Sequence, residues 1–316
     1  MGFLLEVRRL RVLAEFAARG TVTATAEALH LTGPAVSQQL AALEREAGLP
    51  LLEKRGRTLR LTEAGRRLVE HAAVVLGTLA AAESDIAALR RGERALVRIA
   101  AFPSVARALL PGLWPDPDGP AGSDGPDDPG APLIELVEHE PDPAEAALAR
   151  REVDLAITHS YSLLPRPLPA GCERRDLFRE PVFLVLHRAE AEERALAAGT
   201  PADLTAFADA PWLLPGPDTA CHEMAGRACG AAGFVPRAVA VASDFAVLCA
   251  LAARRAGVAL VPRLALPAPV PPGLSVHPLR EPVHRGVHAV YRAGTGGHPG
   301  TRRVLDRLAE PAPPQG

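Results

Sequence analysis

At 316 residues, 48% hydrophobic and 23% charged, the chain can bury the cores of two or more domains. It has no 18-residue apolar run, and its start, MGFLLEVRRL, lacks a signal-type apolar core and cleavage site, so it reads as soluble and cytoplasmic with no membrane partner. The net charge of −2 hides an asymmetry: residues 1–60 carry nine basic and six acidic side chains, a surplus of +3 that leaves −5 for the rest, which suits a polyanion partner for the first segment only.

Leu10, Leu13, Ala14 and Ala17 predict an amphipathic helix that stops at Arg19-Gly20. Thr21 or Thr23 caps a short second helix running to about Leu29, and His30-Leu31-Thr32 leaves room only for a tight turn. A third helix covers TGPAVSQQLAALERE, with Thr32 as its N-cap and Pro34 in its first turn. Val36, Leu40 and Leu43 fall at i, i+4 and i+7 and bury one face, leaving Ser37, Gln38 and Gln39 largely off that stripe. This is a helix-turn-helix pattern, in which the last helix can enter a DNA major groove. The helical pattern alone also fits a plain three-helix bundle with a solvated face.

Leu51 to Leu61, LLEKRGRTLRL, places Lys54-Arg55-Gly56-Arg57 between two short apolar runs. It reads as a hairpin wing whose cations grip phosphates beside the groove, or as an ordinary solvated hairpin tip. Thr62 then caps a single helix through Arg91, closed by Gly92. Leu68, Val75, Ala82 and Leu89 recur every seven residues, with Ala72, Leu79 and Ile86 interleaved, an a/d seam for a second chain or a stripe that packs along the body of its own. At 1.5 Å per residue the helix is roughly 40 Å long, too long for the core of so small a domain.

The run from Leu10 to Gly65, centred on AEALHLTGPAVSQQLAALEREAGLPLLEKRGRTLRLTEAG, resembles the LysR-type transcriptional regulators. The resemblance implies an α/β chain with three parts. These are a winged helix-turn-helix over 1–61, a linker and dimerisation helix over 62–92, and a two-lobed periplasmic-binding-protein-like effector domain over 93–310 before a tail at 311–316. Lobe I would take about 93–172 and 267–310, and lobe II about 173–266. It further implies that Gly33, Pro34, Ser37 and Gln38 face bases, while Thr32, Gln39, Lys54, Arg55 and Arg57 meet phosphates. Gly33 has no side chain for readout, and Gln38 suits a bidentate pair with adenine. The implied partners are double-stranded DNA bearing an interrupted inverted repeat, a small-molecule effector and a second copy of the chain. A tetramer and contact with RNA polymerase are also compatible, and no cofactor is expected.

Strands at Leu96–Ala101, Leu133–Val137 and Val153–Thr158 alternate with helices starting at Pro103-Ser104 and spanning Glu145–Arg150, which implies a largely parallel sheet. Residues 115–132, PDPDGPAGSDGPDDPGAP, cannot pack as an element and read as a disordered insertion. Pro181–Leu186 opens the second lobe. Further pieces are Asp203–Leu214, Cys221–Ala232, Val239–Ala242, Phe245–Arg255 and Val258–Pro262, and Val287–Tyr291 and Gly300–Leu308 return to the first lobe. Two crossings leave a cleft between lobes. Ser104 at a helix start, Thr158, His159 and Ser160 at a strand end, and Asp218, Thr219 and Ser243 at helix starts in the second lobe are its candidate effector contacts. Each can equally serve as a helix cap or loop hydrogen bond.

Cys172, Cys221, Cys229 and Cys249 form no CxxC pair and suggest no disulfide framework. Peroxide-sensing members of the family carry two cysteines in the region of Cys221 and Cys229, but Cys221 is one place out of that register. On one helix the two thiols would stand about 12 Å apart, so they read as inert. Cys221-His222 with Cys229 lacks a fourth metal ligand. For an enzyme there is neither GxSxG nor HExxH, and Ser104 with His159 as nucleophile and base lacks a third group.

Overall fold

The structure, a computed structural model, describes residues 5–55, 58–91, 94–114, 131–197 and 199–309. Its contacts divide the chain into two compact units. One takes residues 1–95, 168–173 and 291–302, and the other takes 96–167, 174–290 and 303–316. The insertion expected at 115–132 lies outside the described residues except for Ala131 and Pro132. Among the described residues no helix is long and apolar enough to cross a membrane.

The first unit begins with α1 (Val7–Arg19), which buries Leu10, Leu13 and Phe16 and ends at Gly20, whose φ of 76° takes the left-handed turn. In α2 (Val22–Ala28) the Thr21 hydroxyl accepts from the Ala24 N–H at 3.2 Å, and in α3 (Gly33–Ala47) Thr32 accepts from Ala35 at 3.3 Å. Val36, Leu40 and Leu43 of α3 are buried in one core with α1. The wing follows as β1 (Leu52–Arg55) and β2 (Thr58–Leu61), paired antiparallel with Leu52 opposite Leu61. Glu44 anchors it to α3, its carboxylate accepting from the Leu51 and Leu52 N–H groups at 2.9 Å each.

Helix α4 (Glu63–Arg91) starts under Thr62, whose hydroxyl accepts from the Gly65 N–H at 3.0 Å and donates to the Pro50 carbonyl at 2.8 Å. The heptad seam divides along its length. Leu68 and Ala72 are spent in the core of the head, because the first turns of α4 lie against it. Val75, Leu79 and Ile86 are 43%, 44% and 57% exposed, and Ala82 between them is exposed too. The Leu89 side chain lies outside the described residues. Gly77, on another side of the helix, seats it against the chain returning near Ala293, where an added Cβ would meet the Ala293 oxygen at 2.7 Å.

The second unit holds a seven-stranded sheet. Its parallel half consists of β3 (Leu96–Ala101), β4 (Leu133–Glu138) and β5 (Leu155–Tyr161), joined through α5 (Pro103–Ala108) and α6 (Pro141–Ala149). The long β6 (Cys172–His187) precedes α7 (Arg188–Glu193), β7 (Pro211–Leu214), α8 (Ala220–Ala231), β8 (Arg237–Val241) and α9 (Phe245–Ala252). Next come β9 (Ala259–Pro262), β10 (Leu274–Pro278), β11 (His284–Arg292) and α10 (Pro299–Ala309). Strand order is β10-β6-β11-β5-β3-β4, with β9 also on β6, while β7 and β8 form a separate parallel pair. The sheet is mixed rather than largely parallel, because β9 and β10 both run antiparallel to β6. Met224, Cys229 and Trp212 fill one core of this unit, and Leu248 and Cys249 fill another.

Two glycines test this packing. A Cβ at Gly65 would be driven into the Leu51 carbonyl, so Gly65→Ala should destabilise the chain by about 1–3 kcal/mol. Gly226 sits exposed on α8 with open space around its Cα, so Gly226→Ala should stabilise it by about 0.5–1 kcal/mol. Urea denaturation of the full chain, followed by circular dichroism, reads both shifts.

Candidate functional site

In the first unit the apolar stripe of α3 is buried, so its opposite side faces outward. Pro34, Ser37, Gln38, Ala41 and Arg45 are exposed, and Gly33 is half-buried. Gln38, Ala41 and Arg45 share one face at i, i+3 and i+7. Thr32 is exposed but already caps α3. Gln39 is turned inward, its carbonyl accepting from the Arg9 guanidinium at 3.3 Å, so it braces the head. In the wing Lys54 is exposed. The Arg55 side chain and Arg57 lie outside the described residues. Arg45 is the side chain that sequence reasoning passed over, although its i+7 spacing from Gln38 already placed it on the outward face.

In the second unit a cavity of about 40 Å³ is lined by Ser104, Arg107, Glu140, His159, Ser243 and Arg285, with Phe102, Cys221 and Phe245 among its apolar walls. Arg285 on β11 is 1% exposed and its partner Glu180 on β6 is 4% exposed. The guanidinium donates to Glu180 Oε1 at 2.6 Å and to Ser104 Oγ at 3.0 Å, and lies 4.9 Å above the Phe102 ring. The second oxygen of Glu180 accepts from the Leu264 N–H at 2.6 Å. These contacts partner both buried charges, as burial of an ion pair demands.

His159 is also buried, edge-on to Phe102 at 4.6 Å and to Tyr161 at 5.3 Å. Its Nε2 stands 3.9 Å from Glu140 Oε2, and among the described residues neither that oxygen nor His159 Nδ1 has a hydrogen-bond partner. Burial pushes the imidazole down to about 4, the facing Glu140 only partly opposing it, so it is neutral at pH 7. Tyr161 and Cys221 meet at 3.0 Å, and burial pushes the Cys221 thiol up to about 11. Burial likewise raises Cys229 to about 12 and Cys249 to about 11, and all three are protonated, unreactive thiols at neutral pH.

Three of the seven expected effector contacts, Ser104, His159 and Ser243, share this cavity. Thr158 is buried on β5 without lining it. Ser160 points to a different pocket, where its hydroxyl lies 3.0 Å from His288 Nε2. Asp218 is exposed, and Thr219 caps α8, accepting from the His222 N–H at 3.2 Å. Sequence reasoning missed Arg285, Glu180 and Glu140, because charged residues on strand and loop segments read as solvated. Ser104 and His159 are not hydrogen-bonded to each other among the described residues, the serine being committed to Arg285.

Residues 7–66 match the family model described as bacterial regulatory helix-turn-helix protein, lysR family, and residues 132–312 match the LysR substrate binding domain. The chain is 38% identical over 96 residues to the HTH-type transcriptional regulator MetR of Haemophilus influenzae, which is 30% of this chain and about a third (31%) of that one. It is 27% identical over 261 residues to the HTH-type transcriptional regulator ClcR of Pseudomonas putida, covering 82% of this chain and 83% of that one. Among solved structures, a hydrogen-peroxide-bound OxyR mutant of Corynebacterium glutamicum superposes with a TM-score of 0.55 at 22% identity, over 98% of this chain and 94% of that one, a likeness of fold.

Removing one partner of the buried ion pair leaves the other uncompensated, so Arg285→Met should cost about 3–5 kcal/mol. Adding Glu180→Leu should recover most of that loss in urea denaturation. Unfolded His159 gains a proton below its ordinary 6.5, while the folded imidazole stays neutral until about 4. Between those values the fold loses on the order of 3 kcal/mol through this residue, and above 6.5 it contributes nothing. Melting curves of wild type and His159→Gln should therefore converge as pH falls through that window, and parallel curves would contradict the assignment.

Proposed function

The chain belongs to the LysR family of bacterial transcriptional regulators, and from that premise we propose that its head reads double-stranded DNA while its second unit senses a small molecule. The observation that carries the reading is the outward row of α3, Pro34, Ser37, Gln38 and Arg45, on a helix whose other side is locked into the head core. Gln38 can pair with a base edge in the major groove, whereas Arg45 and the wing's Lys54 supply cations for phosphates. Gly33 and Pro34, at the start of α3, bring backbone close to the DNA, and Arg55 and Arg57 extend the wing's charge.

A single head reads few base pairs, so we assign dimerisation to the exposed stretch of α4. Val75, Leu79, Ala82 and Ile86 keep the a/d spacing of a coiled-coil seam after Leu68 and Ala72 have been used within the head. Two heads on one seam suit an interrupted inverted repeat. The division into head (1–61), linker (62–92) and effector domain (93–310) belongs to this reading, as does a cytoplasmic place of action.

The effector would enter the cavity beside Ser104, His159, Ser243 and Arg285. At about 40 Å³ it has room for a few waters, while pockets for small organic ligands run to about 300–1,000 Å³. An effector of that size must therefore open the site, and its binding energy selects the opened arrangement. Transmission to DNA requires only that this arrangement favour a different spacing of the two heads. The reading contains no catalytic step, consistent with the commitment of Ser104 to Arg285.

Fluorescence anisotropy of the full chain on the DNA flanking its own gene, across a salt series and against unrelated competitor DNA, tests the reading. Tight, competitor-resistant binding with a steep salt slope is expected. Gln38→Ala should cost about 1–3 kcal/mol at one base pair. Lys54→Ala should weaken binding to all sequences alike and lower the salt slope by about one. Equal, weak binding to both DNAs would remove the regulator reading of the head.

A further inference from the structure

Two polar groups of the cavity beside Arg285 are left without a bond. Glu140 stands at the N-cap position of α6, yet its side chain makes no cap bond there, and its Oε2 is buried without a hydrogen-bond partner among the described residues. His159 Nδ1 is in the same condition, on a side chain that is 1% exposed. Both residues line the cavity. The two groups are of one kind. A neutral imidazole carries a single proton, and that proton is best held on the nitrogen facing the Glu140 carboxylate, Nε2 at 3.9 Å. Nδ1 is then a lone-pair nitrogen, so both orphans are acceptors and what each lacks is a donor.

The charges around them point the same way. Arg285 is matched by Glu180, and Arg107 donates to the Leu264 carbonyl at 3.2 Å. These two guanidiniums stand among three carboxylates, Glu140, Asp244 and Glu180. Arg166, a further cation within electrostatic reach of His159, is held by both Asp142 and Glu145. Despite its arginines the site therefore carries surplus negative charge, which a bound anion would increase and a bound cation would balance. Phe245 and Ala265 add apolar wall for a carbon body.

We propose that the effector of this chain is an amine, a small organic molecule whose primary ammonium group donates to Glu140 Oε2 and His159 Nδ1. This rests on the reading of the cavity as the effector site and goes beyond it by naming the charge and donor set of the ligand. A primary ammonium brings three N–H donors and one positive charge, the two things the cavity lacks. Its carbon body takes the side of Phe245 and Ala265.

Ethylammonium, ethanol and acetate are close in size and small enough to probe the cavity without the opening that a larger effector requires. Saturation-transfer NMR titration of the full chain with each, at constant ionic strength, provides the test. The expected result is a Kd of about 1–10 mM for ethylammonium, the range open to a ligand of so few atoms, with ethanol and acetate at least tenfold weaker. Glu140→Gln, which keeps the shape and removes the charge, should weaken ethylammonium at least tenfold. Glu281→Gln, an exposed carboxylate outside the cavity lining, should leave it unchanged. Absence of ethylammonium binding, equal binding of ethylammonium and ethanol to the wild-type chain, or indifference to Glu140→Gln would each overturn the proposal. Binding of acetate alone, lost in Ser104→Ala, would also overturn it but would keep the cavity as the effector site. The regulator reading of the head is judged separately, by the DNA titration.

Discussion

The buried pair of Arg285 and Glu180 is the interaction on which the second unit is assembled. Two charges withdrawn from water are tolerable only if each lone pair and each N–H finds a partner. Meeting that condition draws four segments together: β11 supplies the cation, β6 the anion, α5 the Ser104 hydroxyl, and the chain after β9 the Leu264 N–H. Phe102 covers the guanidinium, and the same ring then receives the edge of His159. The cavity is therefore a by-product of satisfying one ion pair, and the groups there without a partner among the described residues, His159 Nδ1 and Glu140 Oε2, are those left over once that demand is met. Such leftovers are where a ligand can gain most, since each pays for burial without a bond.

What could be read in the sequence divides along the same line. The head was legible because its signals are local. Thr21, Thr32 and Thr62 act as caps within four residues of what they cap, Gly20 stops its helix at positive φ, and the i, i+4, i+7 pattern of Val36, Leu40 and Leu43 is buried as written. Ser104 was legible for the same reason, as the first turn of a helix after a strand. Arg285 and Glu180 were not, for they are separated by more than a hundred residues and only tertiary pairing makes them buried. The Pro181 strand start was placed too late because β6 is half solvated from Cys172 onward, so that hydrophobic runs mark only its inner end. Asp218 and Thr219 shared the cap chemistry of the true lining residues, and a cap motif alone does not say which side of a helix end faces a cavity.

The seam of α4 shows a different limit. A heptad repeat states that a stripe will be covered and is silent on what covers it. Here the covering changes along one continuous stripe: the head takes Leu68 and Ala72, and the stripe emerges at Val75 with its period intact. Gly77 and the Ala293 segment occupy another side of the helix, so the exposed stripe is not masked by the chain's own return. An unbroken period across that change argues that the outer half is held to the same spacing by a partner with the same helical geometry.

The pleat of β5 and β11 accounts for the remaining economy of the second unit. Successive side chains on a strand point to opposite faces. On β5, His159 goes to the closed cavity and Ser160 to the open cleft. On β11, Arg285 goes to the cavity while His284, Gly286 and His288 go to the cleft. Strand β6 supplies a carboxylate to each set, Glu180 beside Arg285 and Asp176 beside His288. Each site is thus a row across the same three strands, histidine or arginine in the middle and a carboxylate beside it. A slip of β11 by one residue would exchange the rows, placing Arg285 in the solvated cleft and leaving Glu180 buried without a cation. The cost of that orphaned carboxylate adds to the burial of Val287 and Ala289 in holding the register, and the register in turn keeps the His288 ring over Gly286. The ion pair of the closed cavity and the geometry of the open pocket are therefore linked through the register of a single strand.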